Sequence, residues 1–298
     1  MRHQGTNMRK AILLNVLVVS IVGAGGAERR IVSAEQSSPA PVMKPMLIAT
    51  ETEVVKFNEH GKIVWRTPSG VARDVWQLPN GNILFPFNQD EACGVREVTP
   101  RGTTAWEFKL PGQYVISCQR LPDGNTLVGA SCRGEVLVVD PGGKILHTIR
   151  VRDKHRKHST TIVRQVKSGN ILVVEESSGY VTEYTLDGKI AWEYRPPFRP
   201  FGVARLHSGN TLISGQDGMV EVTPAKRIVW QLTRADVSAM GPRWFAGFRV
   251  LPSGNIMICN AGGAVPVFEV NRAKQVVWKT TLNLKQVGLA HGLYVLSR

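Results

Sequence analysis

The sequence predicts an all-β protein in which about six small antiparallel sheets, four strands each, stand in a ring. Three observations predict it. A turn phrase recurs as LPNGN at 78–82, LPDGN at 121–125, VKSGN at 166–170, LHSGN at 206–210 and LPSGN at 251–255. A second phrase ends in Trp: GKIVW at 61–65, GTTAW at 102–106, GKIAW at 188–192, KRIVW at 226–230 and KQVVW at 274–278. A sixth copy, GKILH at 143–147, carries His147 in the Trp slot. The third observation is spacing: successive slots lie 41, 41, 45, 38 and 48 residues apart, the length of one four-stranded unit.

Residues 70–109 make one unit. Val75 to Leu78 reads as a first strand, and Asn80-Gly81 as positive-φ residues of a tight hairpin turn. Asn82 to Phe87 reads as the second strand and 88–94 as a longer loop. Val95 to Thr99 alternates as a third strand, Pro100-Arg101-Gly102 turns the chain, and Thr103 to Phe108 forms the fourth.

There are six fourth-strand phrases but five GN turns, so the first unit lacks a first strand. It begins at Met46 with a second strand (46–50), then a third (54–57) and a fourth (62–66). Leu293 to Leu296 is left over at the C-terminus and resembles the segments before the GN turns. It is expected to complete blade one, which removes two exposed sheet edges. The fold predicted is a six-bladed β-propeller over 46–298. Five of the seven Trp residues occupy the repeating slot, where an indole can cover the seam to the next blade while its N–H finds a partner.

The N-terminus reads as a targeting segment. Arg2, Arg9 and Lys10 precede an apolar stretch from Ala11 to Val22, and small residues run to Ala27. The expectation is a signal peptide over 1–27, a flexible lead-in over 28–45, and export to the periplasm or the outside. The apolar stretch is short for a membrane span, which needs about 20 residues, so no stable span is expected after cleavage. The formal net charge is +14, and +11 without the first 27 residues. In an exported chain that charge favours an anionic small molecule, a polysaccharide or a protein partner over nucleic acid.

The stretches VREVTPRGTTAW (95–106), VLVVDPGGKIL (136–146), VTEYTLDGKIAW (181–192) and MVEVTPAKRIVW (219–230) resemble the quinoprotein-like, pyrroloquinoline-quinone-type propeller repeats. Within them the chain is similar to exported bacterial six-bladed propellers, and distantly to arylsulfotransferases. The resemblance implies a scaffold shared by quinone-dependent dehydrogenases, arylsulfotransferases and non-catalytic outer-membrane assembly proteins. The dehydrogenases have eight blades and commonly an adjacent-cysteine disulfide, and this chain has no Cys-Cys pair. No family histidine motif carries over, and no cofactor is predicted.

Candidate ligand-binding residues are those that break the repeat, because loops on a rigid scaffold carry binding groups. Trp76 and Trp244 lie outside the Trp slot and suit a sugar or aromatic ligand. Asp74, beside Trp76, could bond a hydroxyl or simply be a solvated loop carboxylate. The run from Arg150 to His158 holds five cations and two imidazoles and would attract an anion. Arg199, Phe201, Arg243 and His291 sit at the same stage of other blades, so with His158 they could rim a basic bowl. His155 and His158 lack a nearby carboxylate or Cys, and no metal site is predicted. Of Cys93, Cys118, Cys132 and Cys259, the first three are candidates for one disulfide of open pairing, and Cys259 is expected to be buried.

Two functions compete. One is a non-catalytic binding or scaffold protein recognising an anionic or carbohydrate ligand, or a protein, at one face of the channel. The other is an arylsulfotransferase-like or hydrolytic enzyme, with His158 or His291 as nucleophile or base. Imidazoles lining the central opening beside arginines favour the enzyme. Imidazoles in solvent, with the opening filled by Trp76 and Trp244, favour the binding protein.

Overall fold

The structure is a computed structural model that describes residues 43–298 apart from 90–91, 153–157, 281, 283, 285–287 and 297–298. The expected signal segment, most of the lead-in, and Lys154, His155, Arg156 and Lys157 lie outside the described residues. Six four-stranded antiparallel sheets form the six blades. From blade one to blade six the inner strands are Gly292–Val295, Trp76–Gln77, Val115–Arg120, Ile162–Gln165, Pro200–Arg205 and Trp244–Val250. The first of these closes the ring as expected: it pairs antiparallel with Met46–Ala49, with Met46 opposite Val295 and Ala49 opposite Gly292.

The GN turns depart from the expectation in one detail. Only the glycine takes a left-handed φ, as at Gly81 (82°), Gly124 (87°) and Gly209 (83°), while Asn80 does not. Leu78 N–H bonds Asn82 O at 2.8 Å and Gly81 N–H bonds Leu78 O at 2.9 Å. This is a type I turn followed by a glycine bulge, which Pro79 suits by its fixed φ. The loop expected over 88–94 is also shorter than predicted. The second strand runs to Gln89 and the third starts at Ala92, with Asn88 opposite Cys93. Asn88 supports this extension by donating to Val71 O (2.7 Å) and Val115 O (2.6 Å).

The core lies between blades, not within them. One apolar cluster fills each of the six seams; Leu84, Val95, Val115 and Val128 join blades two and three, for example. Second strands such as Ile171–Glu175 and Thr211–Gly215 are buried along their whole length, because a neighbouring blade covers each face. Outer strands keep an exposed edge, with Val64, Val229 and Val277 half exposed.

Each seam is also fastened by a polar module. In blade two, Glu97 accepts from the turn residue Asn82 at 2.6 Å and from Arg120 of blade three at 2.7 Å. The Arg120 guanidinium lies 4.9 Å from the Trp106 ring, and Trp106 N–H reaches Pro141 O of blade three at 2.9 Å. The module repeats as Glu183 with Asn170, Arg205 and Trp192, and as Glu221 with Asn210, Arg272 and Trp230. Glu269 with Asn255, Lys44 and Trp278 fastens blade six to the chain leading into blade one. The Trp slot therefore has the seam-covering role read from the sequence.

Between blades three and four the aligned residues are Val138, His147 and Gln165, and Asn125 turns instead to Asp123 at 2.8 Å. Carboxylate, indole and cation are replaced together.

Removing Glu183 leaves Arg205 and Asn170 without their acceptor. Glu183→Ala is expected to lower stability by about 3 kcal/mol in urea unfolding. At the seam without the module, Val138→Glu is expected to destabilise, and adding Gln165→Arg to recover part of that loss. A double-mutant cycle showing no coupling would contradict this.

Candidate functional site

The inner strands converge on the axis, and side chains there touch across it. Two residues before each turn leucine stand Trp76, Arg164 and Arg249, on blades two, four and six. These blades are not neighbours, yet the Arg164 and Arg249 guanidiniums lie 4.8 and 4.1 Å from the Trp76 ring. Asp74 holds the group together. It takes two bonds from Arg164, at 2.6 and 3.0 Å, one from Ser117 Oγ at 3.0 Å, and a long contact from Arg249 at 3.5 Å. Asp74 is therefore a buried carboxylate and not a solvated loop acid. Trp76 is a half-buried channel filler whose N–H donates to Cys118 O at 2.7 Å. Burial, and then Arg164, pulls Arg249 down to about 10, which leaves it charged at neutral pH.

Glycines at Gly202, Gly247 and Gly292 let blades five, six and one crowd the axis. A Cβ on Gly247 would stand 2.6 Å from His291 O, and one on Gly292 would stand 2.4 Å from Arg73 O. Backbone replaces side chain at this neck, and Gly247 N–H bonds His291 O at 2.7 Å.

On one side of the neck is a cavity of about 140 Å³. His158, Arg199, Phe201, Trp244 and His291, all expected from the sequence, line it together. Arg73 and Glu176 complete its wall. Arg199 sits just before the inner strand of blade five and Phe201 on it. Trp244 opens the inner strand of blade six, and His291 directly precedes that of blade one.

Glu176 is the hub. It follows the second strand of blade four, is buried, and pairs with both Arg73 and Arg199. Thr161 Oγ1 donates to it at 3.1 Å, and His158 Nδ1 stands 3.9 Å away. Both guanidiniums lie near the Phe201 ring, at 5.9 and 5.8 Å, and Phe201 meets Trp244 at 5.9 Å. His158 holds φ 70° and packs edge-on to Tyr114 at 5.6 Å.

His291 is largely buried. Burial first, then the charges of Arg73 and His158, pulls its imidazole from 6.5 to about 3. The ring is therefore neutral at physiological pH, and its 3.9 Å approach to Glu51 is not an ion pair. Two cations face one carboxylate and a neutral imidazole, so the cavity wall has a surplus positive charge.

Other expected residues lie elsewhere. Arg243 is exposed beside Gly262, and its N–H bonds Asn260 Oδ1 at 3.0 Å. The expected disulfide is not formed, and all four cysteines are free thiols. Cys93 donates to Leu110 O at 2.7 Å, and Cys118 lies mid-strand in a fully buried site that raises its thiol well above the usual range. Cys259 is buried as expected.

Arg73, Glu176, Arg164 and Arg249 escaped the sequence reading. Aligning the slot two residues before the turn leucine would have found the arginines that share it with Trp76. Glu176 had a weaker signal, as an acid ending an otherwise apolar second strand.

The unfolded chain binds a proton at His291 near pH 6.5, while the folded chain does so only near 3. Stability at this residue is therefore full above pH 6.5 and falls as the pH drops toward 3. His291→Asn is expected to lose stability less steeply on acidification. The slopes should differ by up to about 1.4 kcal/mol per pH unit in urea titrations at pH 7, 6 and 5.

No protein-family model matches the chain, and no curated protein does. Solved propellers do. A protein of unknown function from Bacteroides caccae is 22% identical, with a TM-score of 0.73 over 85% of this chain and 98% of that one. A streptogramin B lyase is 13% identical, with a TM-score of 0.61 over 86% and 88%. A catalytically inactive histidine-to-alanine variant of virginiamycin B lyase from Staphylococcus aureus, with quinupristin, is 13% identical, with a TM-score of 0.57 over 83% and 87%. At these identities the likeness is one of fold.

Proposed function

We propose that this protein is an exported propeller with quinoprotein-like repeats whose channel-mouth cavity binds the anionic end of a small ring-bearing ligand. The observation that carries the reading is the sharing of one carboxylate, Glu176, by two guanidiniums on a cavity wall. Arg73 and Arg199 keep donors for a carboxylate or sulfate, which arginine binds bidentately. Phe201 and Trp244 offer the apolar surface a ring would cover. A cavity of about 150 Å³ holds a benzene, so the volume here suits one ring and its charged substituent. The net charge of +14 draws anions toward that opening. Export rests on the basic and apolar pattern of the first 27 residues, and no helix among the described residues is long and apolar enough to cross a membrane.

Benzoate and glucuronate are expected to raise the melting temperature and to bind in calorimetry, while benzamide and glucose do not. Arg199→Gln should weaken benzoate roughly 10- to 100-fold, the worth of a charge-assisted hydrogen bond. Equal binding of benzoate and benzamide would contradict the reading.

A second reading is favoured by one specific observation. Both imidazoles line the cavity beside Arg73, and His291 is held neutral, the form a general base or nucleophile requires. The similar virginiamycin B lyase is inactive as a histidine-to-alanine variant. In this reading a histidine attacks or deprotonates the bound anion and the arginines stabilise developing charge. Release of nitrophenol from a nitrophenyl sulfate, lost in His291→Ala and in His158→Ala, would support it. Turnover unchanged in both variants would remove it.

A further inference from the structure

A second recess adjoins the cavity. It is a more open groove of about 530 Å³, lined by Ser177, Ser178, Gly179, Arg195, Pro196-Pro197 and Phe198. It shares Glu176 and Arg199 with the cavity, so this ion pair is the wall between them. A ligand that filled only the cavity would leave the groove, with nearly four times the volume, unused.

The groove has its own charge. Arg195 is exposed and forms no ion pair among the described residues, in contrast to Arg152, which pairs with Glu193. Both guanidiniums lie against the Tyr180 ring, at 5.6 Å for Arg195 and 4.3 Å for Arg152. The aromatic ring holds Arg195 over the groove without neutralising it. Gly179, at φ 80°, leaves bare backbone beside it, where a Cβ would stand 3.7 Å from Arg195 Nε. The Pro196-Pro197 wall is fixed in φ and lacks N–H donors, so the polar contacts left to a ligand are Arg195, the serine hydroxyls and backbone. Two recesses, each with a cation in excess, stand in line.

We propose that the ligand is an acidic oligosaccharide, with its terminal hexuronate in the cavity and the next unit's carboxylate on Arg195 in the groove. This rests on the anion reading of the cavity. A pyranose ring is close to the size the cavity admits, and it offers an apolar face to Trp244 and hydroxyls to Ser177 and Ser178. An extended acidic peptide would match the charges, but it would need partners for the N–H groups it carries, and the proline wall limits what the groove can offer.

The test is calorimetric titration of the intact protein with galacturonate, digalacturonate and trigalacturonate, with cellobiose as the neutral control. Digalacturonate is expected to bind about 10-fold more tightly than the monomer, and cellobiose not at all. Arg195→Ser should abolish the gain from the second unit and leave the monomer's affinity unchanged, and Arg195→Glu should make the dimer the weaker ligand. Equal affinities of monomer and dimer, or a gain retained in both variants, would overturn this inference and leave the cavity reading intact. A length-dependent gain with oligoglutamate in place of the sugar would overturn the saccharide class. Absence of binding by every anion, benzoate included, would overturn both readings.

Discussion

A propeller blade cannot bury its own faces, so this molecule depends on what happens at the seam between one blade and the next. Apolar side chains supply most of the attraction there, at roughly 2 kcal/mol for each large residue buried. They do not fix how the blades are rotated against each other. The carboxylate on the third strand does, because its oxygens must meet the turn asparagine of its own blade and a cation brought by the next. That cation then stacks on the tryptophan, as Arg120 does on Trp106. A misrotated blade would leave a poorly solvated acid and a buried donor unpaired, a cost comparable to a good part of a domain's stability.

The module behaves as a unit. Where Glu is replaced by Val138, the indole becomes His147 and the cation becomes Gln165. A lone carboxylate at Val138 would be a charge in an apolar cluster, and a lone arginine opposite would have no acceptor. Coordinated loss is the stable alternative, and the seam between blades three and four then rests on apolar contacts such as Val138, Ile149 and Val163. This seam leads into the turn that carries His158.

The same logic of shared carboxylates recurs at the axis with a different outcome. At the seams one carboxylate meets one cation. At Asp74 and at Glu176 one carboxylate meets two, and the imidazole beside Glu176 stays neutral. Glycine backbone at Gly247 and Gly292 narrows the channel between these two centres. The inner one serves as a plug, because Arg249 is drawn onto Trp76 and has no large cavity beside it. The outer one faces a cavity, so its surplus charge is available to a ligand.

The periodic features were legible in the sequence. Turn, strand and Trp recur in fixed order, so blade number, strand count and the closing of the ring by the C-terminal strand followed from spacing and from one missing first strand. The cavity was half legible. His158, Arg199, Phe201, Trp244 and His291 stood out because loops leading into equivalent strands open on one face of a ring. What the sequence could not decide was which side chains meet across the axis. Arg73 and Glu176 lie 103 residues apart, and Asp74 and Arg249 lie 175 apart. Nothing local links them, and each alone reads as an ordinary surface charge. Closing the ring removes solvent from the centre and brings non-neighbouring blades within bonding distance. Burial then decides which acid is shared, which imidazole loses its proton and which thiols stay apart.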